Sequence, residues 1–272
     1  MPLPTIAPAG PDRPIGALLR AWRQQRRRSQ LDLALEAAVS QRHLSFIESG
    51  RAAPSRDMVL RLADHLEVPL RERNALLLAA GFAPAFSERR LEDPSMGPAR
   101  DAVQAILAAH APNPALAVDR HWTMLAANAA VAPLLGGVAN RALLTPPVNV
   151  LRLSLHPRGL APQIVNLGEW RAHVLERLRR QVAASADPVL GALLAELGAL
   201  EGPPAPAVAG AHAPGGILVP MTLRTPLGQL SLISTVTVFG APADITLAEL
   251  AIETFFPADP ASAALLRRLF TG

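Results

Sequence analysis

Between Pro14 and Pro84 the chain is punctuated by residues that start or stop helices, and the segments between them are short. Pro14 suits the first position of a helix, and Ile15, Leu18, Leu19 and Trp22 then recur on one face of a segment running to Arg27. Ser29 reads as the cap of a second helix, Gln30 to Ala37, with Leu33, Ala34 and Ala37 inward. Ala38 and Val39 make a turn. Ser40 caps a third helix, Gln41 to Ser49, with Leu44 and Ile47 inward, and Gly50 stops it. Pro54-Ser55 opens a fourth helix over Arg56 to Leu66, and Pro69 a fifth to about Ala80. Helices this short hold together only by packing on one another. Residues 14–84 are therefore expected to form an all-α, five-helix domain.

The flanking chain reads differently. Residues 1–13, rich in Pro, Ala and Gly, are expected to be a flexible tail, and residues 85–99 a polar linker. Residues 100–272 mix periods. Ala115–Val118 and Thr123–Ala126 are strand-like, with Asp119 to Trp122 as the turn between them. Asn128 reads as the cap of a short helix through Leu135, and Leu167 to Ala184 as a long amphipathic helix burying Trp170, Val174, Leu175 and Leu178. Gly202–Gly216 is a loop by composition. Ile217–Arg224, Gln229–Phe239 and Ala248–Phe256 read as extended, with a hairpin at Thr225 to Gly228, and Ala261–Phe270 as a terminal helix. In the middle segment Leu230, Leu232, Ser234, Val236 and Val238 alternate with Ser231, Ile233, Thr235 and Thr237, so the first set is expected inward. The second region is thus an α+β domain with an antiparallel sheet.

Composition bounds the chemistry. The chain has 272 residues, half of them apolar, which suffices for two cores. It has no Cys, so disulfides and thiolate metal sites are excluded. All 26 basic residues are Arg and Tyr is absent, so the sequence pI of about 11.1 overstates its basicity. The distribution of charge says more. Residues 1–90 hold 14 Arg against 9 acidic residues, and residues 91–272 hold 12 against 13. The positive excess sits in the first third, where a nucleic-acid footprint would lie. Nothing reads as a signal peptide or a membrane span, and a soluble cytoplasmic protein is expected.

Two short capped helices joined by a tight turn make a helix-turn-helix. Ser29-Gln30, Leu33-Ala34, Ala37, Val39-Ser40, Leu44-Ser45, Ile47-Glu48, Gly50-Arg51 and Pro54-Ser55 resemble the phage-repressor (Xre) family over residues 14 to about 84. The resemblance implies double-stranded DNA as partner, bound as a homodimer on a palindromic operator. The start of the third helix would then face base edges. Gln41 suits adenine and Arg42 guanine, with Ser45 one turn on. Gln30, Ser40, Ser49 and Arg51 join them as expected DNA contacts, Gln30, Ser49 and Arg51 toward the backbone. Arg26, Arg27 and Arg28 add positive charge or form a solvated helix end. The family also implies a structural ion pair, Arg23 with Glu48. Two residues depart from its pattern. Ala38 stands where Gly is common, and Phe46 stands where polar residues are common and suits either contact with a thymine methyl or packing against a neighbour, with packing favoured. His43 and His65 read as structural or exposed.

In the second region Val118-Asp119-Arg120-His121-Trp122, Ala126-Ala127-Asn128-Ala129 and Asn149 to Pro157 resemble the MmyB-like regulators, which join such a helix-turn-helix to a PAS-like domain. That implies a transcription regulator answering to a small-molecule effector, held in a hydrophobic pocket suited to a fatty-acid-like or other apolar ligand. Trp170, Arg171 and His156 are the candidate ligand-facing residues, Arg171 for a carboxylate. His110, His121, His156 and His173 form no metal pattern, so no metal or cofactor is expected. No catalytic residues are assigned, because no phosphate loop or nucleophile elbow is present. The competing reading is an antitoxin-like or protein-interaction module that uses the helix-turn-helix for autoregulation. An exposed apolar patch in place of a cavity would favour it.

Overall fold

The computed structural model describes residues 14–185, 187–202 and 219–271. The expected tail at 1–13, nearly all of the Gly202–Gly216 loop, and Ile217 and Leu218 lie outside the described residues. The chain divides into two compact units. One comprises Met1–Arg89 with Ala183–Pro188 and Pro242–Ala248, and the other Arg90–Val182, Val189–Ala241 and Glu249–Gly272.

The first unit is built on α1 (Ile15–Gln25), α2 (Gln30–Glu36), α3 (Gln41–Glu48), α4 (Arg56–His65) and α5 (Leu70–Ala79). Pro14 is the N-cap of α1 and not its first helical residue. Its extended φ and ψ leave its carbonyl to accept from Ala17 and Leu18. The helix ends two residues before the expected Arg27, which turns left-handed at φ 54°. Ser29, Ser40 and Ser55 each cap the helix that follows, accepting from Asp32, His43 and Met58. The expected inward residues Leu18, Leu19, Trp22, Leu33, Ala34, Ala37, Leu44 and Ile47 share one core with Val59, Leu62, Leu66, Leu76 and Leu77. Gly16 is required by contact, because a Cβ there would overlap the Ile47 carbonyl oxygen where α1 crosses α3.

The second unit opens on α6 (Gly97–Ala109), which begins inside the expected linker. Along the chain then come β1 (Ala115–Val118), β2 (Met124–Ala127), α7 (Val150–Leu155), α8 (Leu167–Ser185), α9 (Pro188–Ala199), β3 (Met221–Thr225), β4 (Gly228–Val238), α10 (Ile245–Glu249, which belongs to the first unit as far as Ala248), β5 (Ala251–Pro257) and α11 (Pro260–Thr271). The strands form one antiparallel five-stranded sheet in the order β2-β1-β5-β4-β3. Strand β2 starts one residue later than expected, since Thr123 belongs to the turn and donates its N–H to Asp119. Residues 129–135 are 3-10 helix with Pro133 inside, not α-helix. Asn128 does not cap them with its side chain. Its amide donates to the Leu107 and Asn113 carbonyls and accepts from Ala115, tying the end of α6 to β1.

The alternation expected for β4 holds for half the strand. Leu230 and Leu232 are fully buried, but Val236 is 48% exposed and Val238 61%. The cause is length. Strand β3 begins with Met221 opposite Leu232, and β4 runs on beyond that pair. The expected strand Ala248–Phe256 loses its first two residues to α10. Register puts Leu116, Met124, Met221, Leu223, Glu253 and Phe255 on one face of the sheet. That face and the buried sides of α7, α8 and α9 form the core of the unit.

Candidate functional site

The helix-turn-helix is set by short-range hydrogen bonds. Ser29 Oγ accepts from Asp32 N at 3.1 Å while Asp32 Oδ2 accepts from Ser29 N at 3.0 Å, a closed capping box at the start of α2. Hydrogen bonding from the Ser29 side chain, then from its backbone N–H, holds the Asp32 carboxyl below its ordinary pKa. The turn bends at Ala38, with φ 52°, and Val39 N returns to the Ala34 carbonyl at 2.9 Å. Ser40 Oγ accepts from His43 N at 3.1 Å and fixes the first turn of α3.

A buried ion pair sets the orientation of α3. Arg23 Nε donates to Glu48 Oε1 at 2.6 Å and Nη2 to Oε2 at 2.8 Å, a two-point contact. The Glu48 hydrogen bond raises the Arg23 pKa above its ordinary value against the opposing effect of burial. Arg23 also donates to the Arg28 carbonyl at 2.8 Å, which satisfies more of the fork. Gln30 Nε2 donates to Glu48 Oε2 at 2.8 Å, so in this structure its amide braces α3 and is not turned outward. Arg26 donates to the Leu66 and Glu67 carbonyls at 2.9 Å and lies over Trp22, so it closes the end of α4. Arg28 pairs with Glu36.

Held in this way, α3 presents an exposed polar start. Ser40, Gln41 and Arg42 are exposed, as are Ser49 and Arg51, and Ser45 is half-buried. Ser49 Oγ is engaged with the Phe46 carbonyl at 3.2 Å. Phe46 is half-buried and carries two guanidinium groups. Arg42 lies 5.3 Å and Arg51 5.6 Å from its ring centroid. The ring's negative face attracts both cations and limits where they point.

The second unit holds a partly open cavity between the sheet face and helices α7 and α8. Its lining is almost wholly apolar, with Leu116, Met124, Leu134, Val150, Leu223 and Phe255 among it. Trp170 lines it, with Nε1 donating to Ser154 Oγ at 2.9 Å, and His173 stacks on Trp170 at 5.6 Å. Burial, then the nearby Arg177 and Arg180, push the His173 pKa below the usual imidazole value. The other two residues expected to face a ligand do not line the cavity. Arg171 donates to the Leu197, Gly198 and Leu200 carbonyls at 3.3, 2.8 and 3.1 Å, closing the end of α9. His156 Nδ1 accepts from Arg158 N at 2.9 Å in a tight corner, where a Cβ on Gly159 would overlap the Leu153 carbonyl oxygen.

Two charged residues that the sequence reading passed over do line the cavity. Arg177 Nη1 donates to Glu253 Oε1 at 2.9 Å, and the Arg177 guanidinium lies 4.2 Å from the Trp122 ring centroid. The signal for Glu253 was a lone carboxylate between Ile252 and Thr254 in an otherwise uncharged strand. Trp122 was seen as part of a motif, and the structure gives that motif its reason. Asp119 Oδ1 accepts from His121 N and Thr123 N, and Asn149 donates to the His121 carbonyl while capping α7. These bonds fix the wall of the cavity to the β1–β2 turn.

Among the described residues no group of His, Cys, Asp or Glu is placed to hold a metal ion, and no helix is long and apolar enough to cross a membrane.

A helix-turn-helix with a polar, outward-facing third helix, joined in one chain to an α+β domain with an apolar cavity, defines a DNA-binding transcription regulator. Comparison with protein families agrees with the geometry. The MmyB-like transcription regulator ligand binding domain matches residues 99–269 and the helix-turn-helix domain matches residues 19–73. The chain belongs to the MmyB-like transcription regulators. No curated protein matches it.

Proposed function

We propose that this regulator binds a two-fold symmetric operator as a homodimer and that filling the cavity changes its affinity for that operator. The observation that carries the DNA half is α3, whose far end Arg23 and Glu48 hold while Gln41 and Arg42 at its start stay exposed. In this reading Gln41 and Arg42 meet base edges in the major groove and Ser45 reaches a base or a phosphate. Ser40, Ser49 and Arg51 contact the backbone, and the N–H groups at the start of α2, beside Gln30, meet a phosphate. Phe46 supports this role by restraining the guanidinium groups of Arg42 and Arg51, which lowers the ordering cost of binding.

The cavity supports a small apolar effector, with a fatty-acid-like chain as one class that suits its lining. A concave apolar site of this kind, rather than a flat exposed patch, favours the effector reading over an antitoxin-like or partner-gripping module. Selection of the full chain against a pool of random duplexes tests the proposal. It should enrich a motif whose halves are related by a two-fold axis. Retention of all sequences alike would remove the base-reading role.

A further inference from the structure

The helical period sets the two sides of α3. Leu44, Ile47 and Glu48 are buried, and at about 100° per residue Arg42 and Phe46 fall on the opposite side. Phe46 is large and apolar all the same. Among the described residues, neither the core of the first unit nor the apolar residues packed against it include Phe46. Two exposed guanidinium groups lie over its ring instead, Arg42 at 5.3 Å and Arg51 at 5.6 Å from the centroid. The backbone of Phe46 is fixed as well. Its carbonyl accepts from Arg51 N at 2.8 Å, Ala52 N at 3.2 Å and Ser49 Oγ at 3.2 Å, where Gly50, at φ 74°, turns the chain back. The ring is thus a firmly held apolar group on a polar, outward-facing surface.

We infer that Phe46 reads the C5 methyl group of a pyrimidine beside the guanine met by Arg42, so that the regulator prefers thymine to uracil, and 5-methylcytosine to cytosine, at that base pair. The inference rests on α3 being the base-reading helix. Distance sets which base is read. Successive bases lie about 3.4 Å apart along a strand, and the ring centroid lies 5.3 Å from the Arg42 guanidinium. A guanidinium bonded to guanine O6 and N7 therefore leaves the ring over a neighbouring base pair, roughly one to two steps away. In the major groove, the methyl group at C5 is the apolar feature that sets thymine apart. Phe46 has no side-chain donor or acceptor, so the polar atoms of the same base edge offer it nothing. A methyl group placed against the ring removes apolar surface of both from water, while Arg42 keeps its attraction to the ring. A ring that served only the core would lie on the side of Leu44 and Ile47.

The test uses the duplex that the full chain enriches from a random pool, remade with each thymine in turn replaced by uracil, which removes only the methyl group. One replacement, beside the guanine at which Arg42→Ala relaxes preference, should weaken binding about fourfold, the worth of one buried methyl group. Phe46→Ala should bind the thymine and uracil duplexes alike. The unaltered chain should also bind 5-methylcytosine about fourfold more tightly than cytosine at that position. If the ring only restrains Arg42 and Arg51, Phe46→Ala would weaken both duplexes and leave their ratio as in the unaltered chain, which would overturn the inference. Uracil tolerated at every position, or no thymine beside that guanine, would overturn it too and leave the base-reading helix standing. A pool with no enriched sequence would overturn both. The uracil series on the unaltered chain decides the matter even where Phe46→Ala fails to fold.

Discussion

Single residues carry the interface in three distinct ways, and each way has its own test. Glu48 orients α3 from beneath. Because Glu48→Ala would leave Arg23 buried without its partner, it should cost about 3–5 kcal/mol of stability, measured by urea unfolding. A loss below about 1 kcal/mol would mark the pair as an ordinary surface contact. Arg42 acts from the exposed side. Arg42→Ala should weaken operator binding by about 1–3 kcal/mol and relax preference at one base pair. An equal loss on every sequence would assign it to a phosphate. Gly16 acts through absence, because any Cβ meets the Ile47 carbonyl oxygen. Gly16→Ala should therefore lower the melting temperature of the first unit, and an unchanged value would show that α1 can shift at no cost. The Arg23 and Glu48 pair was legible in the sequence through the family pattern. The third partner, Gln30, was not, since a side chain able to face a phosphate or a carboxylate gives no sign of which it takes. Arg171 and His156 were read toward a ligand for the same reason, and local carbonyl and amide groups engage them instead.

At the scale of elements, what the sequence showed depended on how local the cause was. The helices of the first unit were legible almost to the residue, because a capping Ser, a helix-facing stripe and a stopping Gly lie within a few positions of one another. The helices α6, α7 and α9 were not. Helix α9 is apolar around much of its circumference and shows little period, and α7 is shorter than the window in which a period emerges. The exposed end of β4 depends on where β3 begins, a non-local fact. One contact holds two of the missed helices together. Arg152 on α7 donates to Glu196 on α9 at 2.6 and 2.7 Å. The hydrogen bond and charge of Arg152 keep the Glu196 carboxyl below its ordinary pKa. A carboxyl with a lowered pKa in the fold stabilises it above the ordinary carboxylate range. That stability is lost as pH falls through the folded-state value. Thermal unfolding across the acid range should therefore show a loss in the native chain that is smaller in Glu196→Gln. Parallel profiles for the two would remove Glu196 from the acid response.

For the whole molecule, the two units divide the work. The first holds the outward-facing helix, and the second holds the cavity with its ion pair of Arg177 and Glu253. A chain of residues 1–90 should keep its base preference but bind DNA more weakly than the full chain, because we place the contacts of the proposed homodimer in the second unit. Equal affinity in a gel-shift titration would place dimerisation elsewhere. The cavity itself was legible only as a family expectation. Its wall is drawn from β1, β2, β3, β5, α7 and α8, and no local pattern shows that these meet. Coupling between cavity and operator requires that the effector bind the DNA-competent state with a different affinity from the other state. The most direct measurement is the affinity of the full chain for its selected operator, taken first with the cavity emptied and then with it saturated by decanol. The two values should differ by about fivefold or more. Identical affinities, with decanol shown to be bound, would contradict the claim that this cavity governs DNA binding.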